Sequence, residues 1–246
     1  MKINSIVEID VSSVNGFIEN ILRYSSHRGD YIRLYRGHQK YNWELKPRIA
    51  RVHTADKLKE KKILDEFYNL SIPYLSDWRS YSDWDKIAIA QHFRLRTRLL
   101  DWTTNPLIAL WFAFQKPNDD SVKRCVWGVL ADESNLSNMN NDLFSQNPIS
   151  FFKPNQLNSR IISQSGWFSV HQHDESNNSY FEINAEYCGH ENLAKFIFPD
   201  NERNQILQFL DSLGINQHSV FKDLDSLSEY LEWKYFSDLS TRRVSV

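Results

Sequence analysis

Two stretches of this chain carry residue types whose spacing could do chemistry. The first is Tyr35-Arg36-Gly37; the second begins at Gln91-His92 and continues through Thr97, Arg98, Asp101, Thr103 and Asn105 to Pro106. Arginine grips a phosphate in bidentate fashion, and threonine hydroxyls supply directional hydrogen bonds. Thr104 or Asn105 reads as a helix cap with Pro106 in the first helical position. The free amides and positive end of that helix would favour an anion. Later in the chain, Arg160 and Gln164 stand four apart and share a face if that stretch is helical. Together these residues suit a phosphate-bearing ligand, with aromatic rings available to stack a base. Taken singly, Asp101, Thr103 and Asn105 also read as turn and cap formers, and Arg98 with Asp101 as a structural ion pair.

The elements that must position them are legible from periodicity. Tyr31 to Arg36 alternates as a strand, placing Arg36 on the side of Ile32 and Leu34, where an arginine needs a partner; Gly37 is expected to turn the chain beside it. Leu99-Leu100 reads as a short strand stopping at Asp101. Leu107 to Phe114 is apolar on all sides and belongs in the core. Helical spacing runs from Thr54 to about Tyr81, with Pro73 a break and Lys57 to Lys62 a solvated face; a second helix, Asp83–Phe93, carries Gln91 and His92. The loop holding Trp43, Pro47 and Arg48 reads as packing. Strand candidates cover residues 2–10, Val122–Ala131, Ile149–Phe152, Trp167–Val170, Phe181–Tyr187 with Glu182 and Glu186, and Ala194–Phe198. Helices are expected at Ser12–Tyr24, about Asn201–Leu213 up to Gly214, and Ser226–Phe236.

Composition excludes several classes. With 29 Lys+Arg against 31 Asp+Glu, the formal charge of −2 gives no global drive toward nucleic acid or membrane. Two cysteines are too few for a disulfide framework. The seven glycines form neither GxGxxG nor GxxxxGK[ST], and no GxSxG or HExxH motif occurs. His171 and His173 alternate without a well-spaced third ligand, so no metal is expected. The longest apolar run, Leu107–Phe114, is too short to span a bilayer, and the N-terminus lacks a signal-peptide core; a soluble, cytoplasmic protein without a membrane partner is expected.

The run TRLLDWTTNPLIALWFA, with QH before it and YRGH…W.L.PRIAR upstream, resembles the FRG domain, a family named for its aromatic-Arg-Gly signature. RIISQSGWF resembles a further element of that family, Arg followed by Gln-x-Gly-x-Phe. The likeness spreads over roughly Tyr31 to Val170; the family usually carries a small residue, often Gly, where this chain has Arg94. The expected fold is α+β: one FRG-type domain over 1–246, a mostly antiparallel or split sheet around a buried core helix, and flanking helices. A helical segment at about 54–93 and a helical C-terminal cap at about 201–240 complete it.

The layout is similar, more remotely, to that of ADP-ribosyltransferases, where a strand-end arginine and a downstream Ser/Thr element hold NAD and a later Glu or Gln completes the site. That resemblance implies Arg36 on the phosphate or adjoining ribose, Thr97 or Thr103 at the nicotinamide ribose, and Gln164, Glu182 or Glu186 as the late residue. Gly37, Gln91, His92, Arg98, Asp101, Asn105 and Arg160 would line the NAD site, with NAD as substrate and no metal. It also implies a bacterial toxin or anti-phage effector, with an antitoxin or regulatory partner and a nucleic-acid or protein acceptor. A non-catalytic nucleotide or nucleic-acid sensor and a structural partner-binding protein are the alternatives.

Overall fold

The structure is a computed structural model that describes residues 6–25, 31–75, 81–117, 123–145, 147–155, 164–188, 192–199 and 203–236. In chain order these form β1 (Val7–Asp10), α1 (Val14–Ser25), β2 (Ile32–His38), α2 (Lys57–Ser71), α3 (Asp83–His92), β3 (Leu99–Thr103), α4 (Pro106–Phe114) and β4 (Arg124–Ala131). Then come β5 (Ile149–Phe152), β6 (Gly166–His171), β7 (His173–Asp174), β8 (Ser179–Tyr180), β9 (Leu193–Phe198), α5 (Arg203–Ser212), α6 (Gln217–Phe221) and α7 (Leu224–Phe236). One seven-stranded sheet of order β1-β9-β4-β2-β3-β6-β5 organises them, antiparallel except where edge strand β1 pairs parallel with β9. This is the α+β architecture that the pattern predicts. No helix among the described residues is long and apolar enough to cross a membrane.

The sheet is built on β4, whose eight residues are all buried. A strand covered on both faces reads as a continuous apolar run, as RCVWGVLA does apart from its first residue. On one face, Tyr35, Val126, Phe196 and Phe198 pack with Phe17 of α1, with α4, and with Ile206, Leu207 and Leu210 of α5. On the other, Leu34, Trp102, Trp127, Val129 and Ile197 form a second core. Leu64 of α2 and Trp84, Ile87 and Ala88 of α3 join Leu99, Phe168 and Val170 in a third.

The chain departs from the pattern at several points. β3 does not stop at Asp101 but runs to Thr103, because β6 pairs it residue by residue from Leu99↔Val170 to Thr103↔Gly166 and buries Trp102 and Thr103. Gly37 makes no turn; it lies inside β2, where the bare backbone admits α4. α2 ends at Ser71, and Ile72–Tyr74 forms a 3-10 turn containing Pro73. The Lys57 to Lys62 face is not wholly solvated, since Glu60 within it is buried. Phe181–Tyr187 is not a strand: Ile183 makes a single bridge to Leu45, and Ala185–Cys188 is one helical turn. At the C-terminal end Gly214, at φ 77, closes α5, and a short helix, α6, stands between the two expected ones.

Candidate functional site

β2 pairs with β4 along all seven of its residues but with β3 only at Tyr35↔Thr103. The two strands part beyond that pair, and a cleft of about 580 Å³ opens there. Its walls are the ends of β2 and β3, the C-terminal end of α3, one side of α4 and the loop after β2. Tyr35, Trp43, Trp102, Phe112 and Phe168 supply its aromatic lining.

A chain of hydrogen bonds crosses the gap between the parted strands. Arg36 Nη1 donates to the Asp101 carbonyl at 2.6 Å and lies 3.6 Å from the Asp101 carboxylate. Its Nε donates to His38 Nε2 at 3.1 Å. Burial pulls the Arg36 pKa down, with Asp101 opposing this and the nearby Arg51 charge adding to it. Burial first, and then the Arg36 charge, hold the His38 pKa well below the usual imidazole value, so His38 is neutral and accepts through Nε2. Asp101 Oδ2 also accepts from Gln91 Nε2 at 3.1 Å, while Gln91 Oε1 accepts from the Thr97 hydroxyl at 2.7 Å. That hydroxyl in turn accepts from the Leu99 amide, so its proton is aimed at Gln91 and the amide's orientation is set. The side chains of Arg36 and Asp101 are 23% and 57% exposed, so their ion pair stabilises the fold by less than about 1 kcal/mol. Its effect is on where the guanidinium points.

The start of α4 is satisfied from within. Asn105, rather than Thr104, is the cap, and its Oδ1 accepts from the Leu107 and Ile108 amides. Ala109 N donates to the Asn105 carbonyl, and Pro106 has no N–H. The expected anion site at this helix end therefore has no donor left to offer. Thr103 Oγ1 donates to the Gln164 carbonyl at 2.6 Å and accepts from the Asn105 amide, tying the end of β3 to the residues that lead into β6.

Of the residues singled out in the sequence, Arg36, Gly37, Gln91, His92, Asp101, Thr103 and Gln164 line this one cleft. The Gln164 amide reaches the Val220 carbonyl at 3.4 Å. Thr97 is buried behind Gln91, and Asn105 is occupied as the cap. Arg98 is not at the cleft and does not pair with Asp101. It is fully buried against Glu60, with Nε and Nη2 donating to one carboxylate oxygen and Nη1 to Gln172 Oε1. Glu182 lines a separate cleft with Tyr180 and Asn184. Arg160 lies outside the described residues, and so does the face it would share with Gln164. His171 is buried in the sheet between Ser169 and the Phe181 carbonyl, and no three His, Cys, Asp or Glu side chains among the described residues gather as a metal site would.

Sequence reading missed the basic rim. Lys46, Arg48 and Arg51 of the loop after β2, together with Arg94, line the cleft around the half-exposed Trp43. The signal was present in the KPRIAR string, where Lys46, Arg48 and Arg51 recur every two or three residues; read as packing, it went unused. Arg94 stands at φ 69, the left-handed backbone that glycine adopts freely.

The family model of the FRG domain matches residues 32–122. Over that stretch, 91 of its 246 residues, the chain matches the FRG domain. Every residue lining the cleft except Gln164 and Phe168 falls within that FRG segment, so the cleft is a feature of the FRG domain that β6 and the residues before it complete. Comparison with curated proteins and with solved structures found no match.

Proposed function

We propose that the FRG-domain cleft holds NAD and transfers its ADP-ribose. The observation that carries this reading is the placement of Arg36, Thr103 and Gln164. They sit on β2, on β3 and just before β6, three successive neighbours in the sheet, and converge on one cleft. That is the arrangement of strand-end arginine, downstream threonine and late Glu or Gln implied by the likeness to ADP-ribosyltransferases. Arg36 binds the pyrophosphate, and Thr103 positions the nicotinamide ribose. As the bond from ribose C1′ to the nicotinamide nitrogen breaks, its electron pair leaves with neutral nicotinamide. The acceptor nucleophile bonds to C1′ and releases its proton to solvent. The positive charge that grows on the ribose is stabilised by the Gln164 amide dipole once the amide turns from Val220 into the cleft. In this reading the whole chain, 1–246, works as one unit, and the role is that of a cytoplasmic toxin or anti-phage effector in a bacterium, which rests on the family resemblance.

The test is nicotinamide release from NAD with bacterial lysate as the source of acceptor, followed chromatographically. Release is expected from the wild type and is lost in Arg36→Ala, which also weakens NAD binding at least about tenfold in calorimetry. Absence of NAD binding sinks the reading.

One observation favours a second reading, binding without turnover. The one carboxylate lining the cleft among the described residues is Asp101, and it is engaged by Arg36 and Gln91. NAD binding without nicotinamide release, in the presence of lysate, selects it.

A further inference from the structure

The rim of the cleft carries more positive charge than its floor can use. Arg48, Arg51 and Arg94 are all exposed, and no described carboxylate forms an ion pair with any of them. Lys46 is paired with Glu44 beside them. Two of the arginines are already oriented: Arg48 Nη1 donates to the Arg94 carbonyl at 3.3 Å, and Arg51 Nη2 to the Glu44 carbonyl at 3.4 Å. A guanidinium has five N–H donors, so each keeps most of its fork turned to the open side. Trp43, 38% exposed, stands among them with its ring edge-to-face against His38, a stiff aromatic surface at the mouth.

We propose that this rim binds single-stranded nucleic acid, its phosphates on Arg48, Arg51 and Arg94 and a base stacked on Trp43. Repeated cations around an exposed aromatic ring match a chain that repeats phosphate and base, whereas an acidic peptide would use the cations and leave the tryptophan idle. The charge is local: the chain as a whole is at −2, so the rim is not the by-product of a basic protein. The strand's path is bounded on the far side of Lys46, where Asp174 and Glu182 line the neighbouring cleft and would repel it. Binding of the strand goes beyond the NAD reading and does not depend on it.

The test is fluorescence anisotropy with the full chain and a labelled single-stranded RNA about 10 nucleotides long. The wild type is expected to bind in low salt, with log K falling against log salt at a slope of about −2, three phosphates at about −0.7 each. Arg94→Gly removes a charge where the backbone already suits glycine, and lowers the slope by about 0.7. Arg51→Ala does the same, and Trp43→Ala weakens binding about tenfold with the slope unchanged. Circular dichroism of each variant establishes that it is folded. Absence of RNA binding in low salt, a slope that the arginine variants do not alter, or polyglutamate competing as well as RNA each overturns the inference. NAD is titrated separately without RNA, so the proposed function and the nucleic-acid rim stand or fall on different measurements.

Discussion

A methyl group on Gly37 would stand 2.0 Å from the Ala109 carbonyl oxygen and 2.6 Å from the Ala113 amide nitrogen, so β2 and α4 meet backbone to backbone. Neither atom can move aside without breaking the helix. Gly37→Ala is expected to destabilise the protein by about 3 kcal/mol or more, or to leave it insoluble. Urea unfolding measures this, and a change under about 1 kcal/mol would show that α4 does not sit on the strand as described.

Glu60 and Arg98 form a buried pair that ties α2 to the approach to β3. The carboxylate accepts from the Arg98 amide, from its guanidinium and from the Tyr180 hydroxyl. Glu60→Ala leaves an uncompensated buried cation and is expected to cost about 3 to 5 kcal/mol. Replacing both residues by methionine removes the charges together and costs less than the single change. A double variant less stable than Glu60→Ala contradicts this assignment.

His171 makes the fold acid-sensitive. Its Nδ1 donates to the Phe181 carbonyl and its Nε2 accepts from Ser169, whose hydroxyl also accepts from Trp102 Nε1. Burial, the largest cause, lowers its pKa from 6.5 to about 4. The unfolded chain therefore takes up a proton as pH falls below about 6.5 while the folded one does not, and stability present above that pH is lost down to about pH 4. The loss is about 3 kcal/mol for this group, and His38, shifted in the same direction, adds to it. Unfolding free energies at neutral and acid pH are to be compared in the wild type and in His171→Gln, where the pH dependence should be shallower. Equal dependence would remove His171 from the account.

Thr97 holds Gln91 in place from behind the cleft. Thr97→Val keeps the shape but removes the donor to Gln91 and the acceptor for the Leu99 amide. A loss of about 1 to 3 kcal/mol is expected, with Thr97→Ser near the wild type. Asp101→Asn, at the open end of the same chain, should change stability by less than about 1 kcal/mol. Thermal melting of the three variants checks the contrast.

Arg94 holds a left-handed backbone, so Arg94→Gly is expected to be neutral or slightly stabilising, within about 1 kcal/mol. Arg94→Val, β-branched at the same φ, should destabilise by more. The reverse order in a chemical denaturation series would mean that the loop after α3 takes another conformation.

The local pattern was enough to determine most elements. Alternation located β2, the apolar run located α4 as a core helix, and the Thr104-Asn105-Pro106 run located its start to within one residue, because strand pleat, helix period and capping are all short-range properties. The same pattern named seven residues that the fold brings to one cleft. It could not tell that Arg98 and Glu60 are partners, since they meet only when α2 folds back on β3. It stopped β3 three residues early because pairing with β6, distant in the chain, is what extends it. It assigned Gly37 to a turn when the bare backbone was needed for a helix some seventy positions away. Residue types and spacing thus decided which side chains are capable of binding an anion. Only the parting of β2 from β3, and the folding of the PRIAR loop over that gap, decided which of them face one opening.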